Sequence, residues 1–315
     1  MAWVTWRQHR LQFAAVSGLL VALAVALVGS HVPIGSAYHR DALSSCLPPS
    51  SRSGCDILVR HFQDEFSGLT ATVRGLAVLP VLAGLFVGAP LFARELEHGT
   101  HRFAWTQAIT RRQWLLAKTA WLSLAVAAAG AVASVLVTWW RGPFDTLGGR
   151  MSPSAFDIEG VVVPAYALYA LALGVLAGLL LRRTVAAMTV TLVAFAATRL
   201  LVVEFVRPHF LAPLHQTVGA TDSGTQAGAW VLSDTLVDAG GRTITSGRED
   251  IAVLHAQQAG IDPHTYFVTL GWKRAISYQP AGRFWTFQVI EAGLFIALAA
   301  AVVALTLYLV RRTPR

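Results

Sequence analysis

Lysine is nearly absent from this 315-residue chain, which holds only Lys118 and Lys273 beside 23 arginines. A phosphate-binding loop of the form G-x-x-x-x-G-K-[ST] uses backbone amides to cradle phosphates and the lysine to neutralise them. Lys118 follows Ala117, with no glycine between positions 111 and 117, and Lys273 is followed by Arg274. The chain therefore carries no ATP-hydrolysing loop of that kind, and energy for pumping has to come from another polypeptide or an ion gradient. The H-E-x-x-H of zinc proteases and the G-x-S-x-G of serine hydrolases are also missing, so a membrane-embedded enzyme lacks its usual chemistry. His98 and His101 form H-x-x-H beside Glu97 but lack a third ligand. No metal site and no cofactor of the chain's own is expected. Charge is scarce as well: 13% of residues are charged and 55% are hydrophobic, more apolar matter than a soluble globule of this length needs.

The apolar residues fall into long runs. A helix needs roughly 20 of them to cross a hydrocarbon layer of about 30 Å, where no water satisfies the backbone. Six runs qualify, near Leu11 to Gly29, Gly75 to Ala93, Leu115 to Trp140, Val161 to Leu181, Thr184 to Val206 and Phe284 to Val310. The first is too long for a signal-peptide core and lacks a cleavage site, so it reads as a span. Trp3, Trp6, Arg7 and Arg10 suit a short amphipathic start on the membrane surface.

Six spans put both termini on one side. That side carries Arg7, Arg10, Arg94, Arg102, Arg111, Arg112, Lys118, Arg182, Arg183, Arg311, Arg312 and Arg315 against Glu95 and Glu97, a net charge of plus ten. The other side sums to minus one over three longer loops, 30–74, 141–160 and 207–283. Positively charged connections stay in the cytoplasm, so both termini are expected there, in the plasma membrane of a bacterium. The arginine-over-lysine bias fits a GC-rich bacterial genome. Nucleic-acid binding is excluded, because no solvated basic domain exists outside the spans.

The stretch "RELEHGTHRFAWTQAITRRQWLLAK", 94–118, is the only cytoplasmic connection of any size and gathers seven charges. Its order is acidic turn, apolar "FAW", then "TRRQW" and Lys118 at the next span. A short helix along the membrane is expected, with Phe103, Ala104 and Trp105 against the span ends and Glu95, Glu97, His98 and Arg102 facing water or a partner. Positive-inside charge accounts for Arg111, Arg112 and Lys118 but not for the glutamates.

"TWRQHR" before the first span, "ARELEHGTHRFAWTQAITRRQWLLAK" after the second and "YQPAGRFWTFQVIEAG" opening the sixth resemble the permease subunits of ABC-2 type transporters, particularly an actinobacterial group. In such families the loop after the second helix docks on a cytosolic ATPase and transmits its closure to the spans. Glu95, Glu97, Gly99, Thr100, Arg102, Arg111 and Trp114 sit at the matching positions. The resemblance implies an exporter made of two permease protomers, a homodimer by default, with ATP and Mg held by the partner ATPase.

An ion-coupled secondary transporter is the alternative, and it needs ionisable groups inside the spans. Arg199, Glu204 and Glu291 are there. Arg199 and Glu291 each lie seven residues from the outer end of their span, so consecutive antiparallel helices bring them to one depth, and exchanging the two charges is expected to preserve a structural pair. Gly84 and Gly88, and Ala170, Gly174 and Gly178, are small residues four apart that let helices approach closely.

The expected fold is an all-α polytopic membrane protein with a small extracytoplasmic α+β insertion. It divides into 1–206 with five spans and the coupling loop, the insertion 207–283, and 284–315 with the sixth span and tail. Cys46 and Cys55, the only cysteines, share an outer loop where oxidation is permitted and are expected to form a disulfide. Ile57, Leu58, Phe62, Phe66 and Leu69 have helical spacing. In the insertion, "AWVLSDTLVDAGGRTIT" predicts two strands around an Asp238–Gly241 turn, "REDIAVLHAQQAG" a helix and "RAISYQP" another strand.

Overall fold

In hydrocarbon a chain can satisfy its backbone only within itself, and each apolar run is a helix. The computed structural model describes residues 2–46, 54–97, 111–220 and 228–312. Among them six helices are long and apolar enough to cross a membrane: span one, Val16–Arg40; span two, Ser67–Arg94; span three, Thr119–Gly148; span four, Val162–Leu181; span five, Thr184–His209; and span six, Ala281–Arg312. A small three-stranded antiparallel sheet lies between spans five and six, so the chain is a helical polytopic membrane protein with an α+β insertion.

Spans one and three overrun their sequence-based limits. They belong to continuous helices Ala2–Arg40 and Arg111–Gly148, which pass through Pro33 and Pro143. Packing rather than hydrocarbon explains the extra turns. Beyond the expected ends, Ile34, Ala37 and Phe144 are buried with Trp140 against Phe62 and Phe66 of the segment that leads into span two. Trp140 Nε1 donates to Ser30 Oγ at 3.0 Å, which satisfies a buried indole. The leading segment is helical as its spacing predicts, in two pieces, Cys55–Glu65 and Ser67–Arg74. Only Phe62 and Phe66 of its apolar set are buried, while Ile57, Leu58 and Leu69 are exposed. Cys46 and Cys55 form a disulfide with Cα atoms 5.5 Å apart, which fastens the end of span one's loop to this segment.

Span four is the axis of the bundle. Its apolar window is 72% buried, against 11% for span one. A helix apolar on all sides is suited to that position. Its closest neighbour is span two, and glycines make the contact. A Cβ placed on Gly84 would lie 2.4 Å from the Ala170 carbonyl oxygen, and one on Gly174 would lie 2.4 Å from that of Gly84. At Gly178 the distance to the Ala89 oxygen would be 2.5 Å. The small-residue spacing of the two sequences thus becomes direct backbone contact. Span two is irregular at this contact, with a π turn at Gly84–Gly88 before the helix Ala89–Glu97. Span five has a second π turn, Val202–Val206, followed by a 3-10 turn, Arg207–His209.

The insertion contains β1 (Leu214–Gly219), β2 (Trp230–Val237) and β3 (Lys273–Gln279) in the order β1-β3-β2. Helices Ser246–Gln258 and Pro263–Thr269 close over Ala220, Ile244, Ala252, Phe267 and Trp272. Two strands around the Asp238–Gly241 turn were expected, and here the sequence reading is corrected. After the turn only an isolated bridge, Val237 to Thr243, forms, and β2 pairs with β3 instead. The Asp238 carboxylate accepts from the amides of Gly240 and Arg242 and so ties the turn to itself, leaving no second strand. β1, an exposed edge strand, has no clear alternation to announce it. Gln279 Nε2 donates to the Leu211 carbonyl at 2.7 Å and Arg283 Nη1 to that of Ala212 at 2.7 Å, which pins the insertion's two ends together above spans five and six.

Candidate functional site: coupling segment and buried ion network

The connection from span two to span three begins as the helix Ala89–Glu97 and ends in the helix that starts at Arg111. Glu95, Arg111 and Trp114 are on these helices. Gly99, Thr100, Arg102 and Trp105 lie outside the described residues, as do His98 and His101. Glu97 is exposed, yet its carboxylate is engaged. Oε2 accepts from the Thr184 amide at 3.2 Å and from Thr184 Oγ1 at 2.9 Å. Thr184 is the first residue of span five's helix, whose preceding residue Arg183 supplies no side-chain cap. A carboxylate from the end of span two therefore caps span five, where the first amides of a helix lack internal partners.

At the opposite end of the bundle, charges gather inside the protein. Glu291, in span six, is fully buried and accepts from Arg207 Nε at 2.7 Å and Nη2 at 2.8 Å, from Arg199 Nη1 at 3.2 Å and from Tyr166 OH at 2.5 Å. Asp157, in the connection between spans three and four, holds the same arginines from the other side, Arg207 at 2.6 Å and Arg199 at 2.8 Å. The Arg199 guanidinium carbon lies 3.8 Å from the Tyr166 ring centroid and that of Arg207 4.4 Å from the Phe156 ring. Two arginines and two carboxylates cancel in formal charge. Glu204, the third charge that the sequence places in the spans, is exposed and stands apart from this network.

The pairing of Arg199 with Glu291 is the arrangement that their equal depth suggests. Asp157, Arg207 and Tyr166 escape the sequence reading. The apolar run of span five stops at Val206, which assigns Arg207 to the loop, and the π turn at Val202–Val206 breaks the periodicity that relates it to Arg199. Asp157 looks like an ordinary loop charge. Two residues further along, Glu159 is also fully buried, bonded to Arg141 of span three and, at 2.9 Å, to Arg150. Arg141 also holds Asp145 at 3.1 Å. Asp157 and Glu159 thus fasten one short connection to span five on one side and to span three on the other.

Buried charge that is paired has a structural consequence before a chemical one: it fixes which helices meet, and each survivor of a broken pair is left uncompensated. Among the described residues no group of three or more His, Cys, Asp or Glu is placed to hold a metal ion. The network lies in a helical membrane bundle with one substantial connection on its basic side. A family model described as ABC-2 membrane transporter related matches residues 17–207. The chain belongs to that family. It is a membrane component of an ABC transport system, multi-pass and not itself catalytic. The match takes in spans one to five, the connection between spans two and three, Asp157, Arg199 and Arg207, and it ends before the sheet of the insertion. No curated protein and no solved structure matches the chain.

Proposed function

We propose that this chain is the permease subunit of an ATP-driven exporter, powered by a separate cytosolic ATPase that carries ATP and Mg and docks on residues 94–118. Two copies enclose the pathway in a bacterial plasma membrane, with both termini cytoplasmic. Three features support this reading: the family, the missing phosphate-binding loop, and the charge asymmetry that puts the short basic connections inside. The observation that carries it is mechanical. The segment expected to meet the ATPase continues directly into span two, whose backbone lies against span four, and it is hydrogen-bonded through Glu97 to span five. A push on the helix Ala89–Glu97 reaches spans two, four and five through backbone contact and the Glu97 bond. A proton- or sodium-coupled carrier is less well supported, because the buried arginines at the far end are held by carboxylates from two different elements, an arrangement that fixes which helices meet.

Purification from native membranes in a mild detergent tests the proposal. A nucleotide-binding subunit should be recovered in stoichiometric amount, and ATP should drive transport once both are reconstituted. A pure chain that transports on a proton gradient alone would overturn it.

A further inference from the structure

Resting on that proposed function, we infer that Glu97 is a positioning residue for coupling: it clasps Thr184 and so makes span five move with the coupling segment, while the ATPase meets other side chains of the segment. The geometry gives Glu97 a partner within the chain. Its Oε2 is committed to two donors of one residue, the Thr184 amide and hydroxyl, and those donors begin a different span. The turn before Thr184 is short and stiff. Arg182 takes the left-handed conformation (φ 55°) and Arg183 is extended, so only two residues separate the helices of spans four and five. Such a turn gives the start of span five little freedom of its own, and the carboxylate supplies its first amide with a partner from span two. Span five then runs to Arg199 and Arg207, the two cations of the buried network at the far end. One hydrogen-bonded contact therefore joins the coupling segment to span five, whose other end holds the ion network. A connection made of packed and bonded elements is what energetic coupling between distant sites requires.

The test uses the full chain with its partner ATPase. Glu97→Ala should lower transport per ATP hydrolysed by about fivefold or more, the low end of coupling between linked sites, out of proportion to any change in ATPase capture. Thr184→Val, which keeps the amide and loses the hydroxyl, should show a smaller loss of the same kind, and Thr184→Ser should behave as native. Adding Thr184→Val to Glu97→Ala should cost nothing further, because the acceptor is already gone. Amide exchange at Thr184 should quicken in Glu97→Ala even without the partner. Loss of ATPase capture in Glu97→Ala but not in Thr184→Val would make Glu97 a docking residue and overturn the inference. Additive losses, unchanged transport or unchanged exchange would overturn it too. If the native chain captures no ATPase at all, the proposed function itself fails and the clasp falls with it, a result distinct from every outcome in which native capture is intact.

Discussion

Glu291→Gln is the sharpest perturbation of the buried network, because it keeps the shape of the side chain and removes only its charge. In the native chain four donors converge on this fully buried carboxylate, at 2.5, 2.7, 2.8 and 3.2 Å. The substitution leaves Arg199 and Arg207 with Asp157 alone, an excess of one positive charge in a site where Arg207 is 1% exposed. Hydrogen bonds to charged groups are worth about 1.5 to 3 kcal/mol each, but summing four would overcount, since Asp157 still holds both arginines and the amide oxygen still accepts. Breaking a buried pair from one side costs about 3 to 5 kcal/mol, and that is the expected loss. Reversible unfolding in mixed micelles, with unfolding followed by a probe in span six, measures it. Exchanging the charges of Arg199 and Glu291, sufficient if they were an isolated pair, should not restore stability, because it sets the new guanidinium beside that of Arg207. A stability within about 1 kcal/mol of native for Glu291→Gln, below the low end expected for a broken buried pair, would refute the reasoning. Full rescue by the exchange would refute the network and leave a simple pair.

Gly174→Ala should destabilise the bundle by about 1 to 3 kcal/mol or more, since the added Cβ meets the Gly84 carbonyl at 2.4 Å and outweighs a helix-propensity gain of about 1 kcal/mol. Gly293→Ala, in span six with nothing within 4 Å, should be neutral or stabilising in the same micelle unfolding assay. Peptide mapping without reductant should find Cys46 joined to Cys55, whereas two free thiols after rapid alkylation would contradict the bond. In the insertion, the Thr265 amide holds the Asp262 carboxyl below its ordinary range, and the Arg242 amide does the same for Asp238. Depressed carboxyl values stabilise above the unfolded value near about 3.9, and the benefit disappears as pH falls through the folded values, so the insertion should loosen in acid. A fall in the protection of the Thr265 amide, relative to its intrinsic exchange rate at each pH, below about pH 4 in the native chain, with a smaller pH dependence in Asp262→Ala, checks this.

Much of the membrane architecture was legible because hydrophobic length is a strong signal: a run of about 20 apolar residues has few alternatives to a spanning helix. Gly84, Gly88, Gly174 and Gly178 were readable for a similar reason, as spacing becomes contact when the helices lie side by side. The depth of Arg199 and Glu291 came from counting residues along regular helix. Counting fails where the helix is irregular, and the π turn before Arg207 is such a place. Asp157 and Glu159 were hidden differently, since a charged loop residue looks solvated until the helices around it are known to close over it. In the insertion, the Asp238–Gly241 turn is real, but its partner strand comes from 35 residues or so further along, a long-range pairing that local alternation cannot announce. Glu97 was picked out by its acidity in a basic segment. Its bond to Thr184 required the fold.

Whether residues 94–118 meet an ATPase can be asked with a photoreactive amino acid at Thr100 in intact cells, compared with the same probe at Thr217 on the edge strand β1. Irradiation should join the Thr100 probe to a nucleotide-binding protein about as large as an ABC ATPase subunit, with a yield that changes when ATP is trapped, and should join the Thr217 probe to no such protein. A chain that crosslinks to a nucleotide-binding protein from neither position, yet still transports, would contradict ATP-driven coupling through this segment.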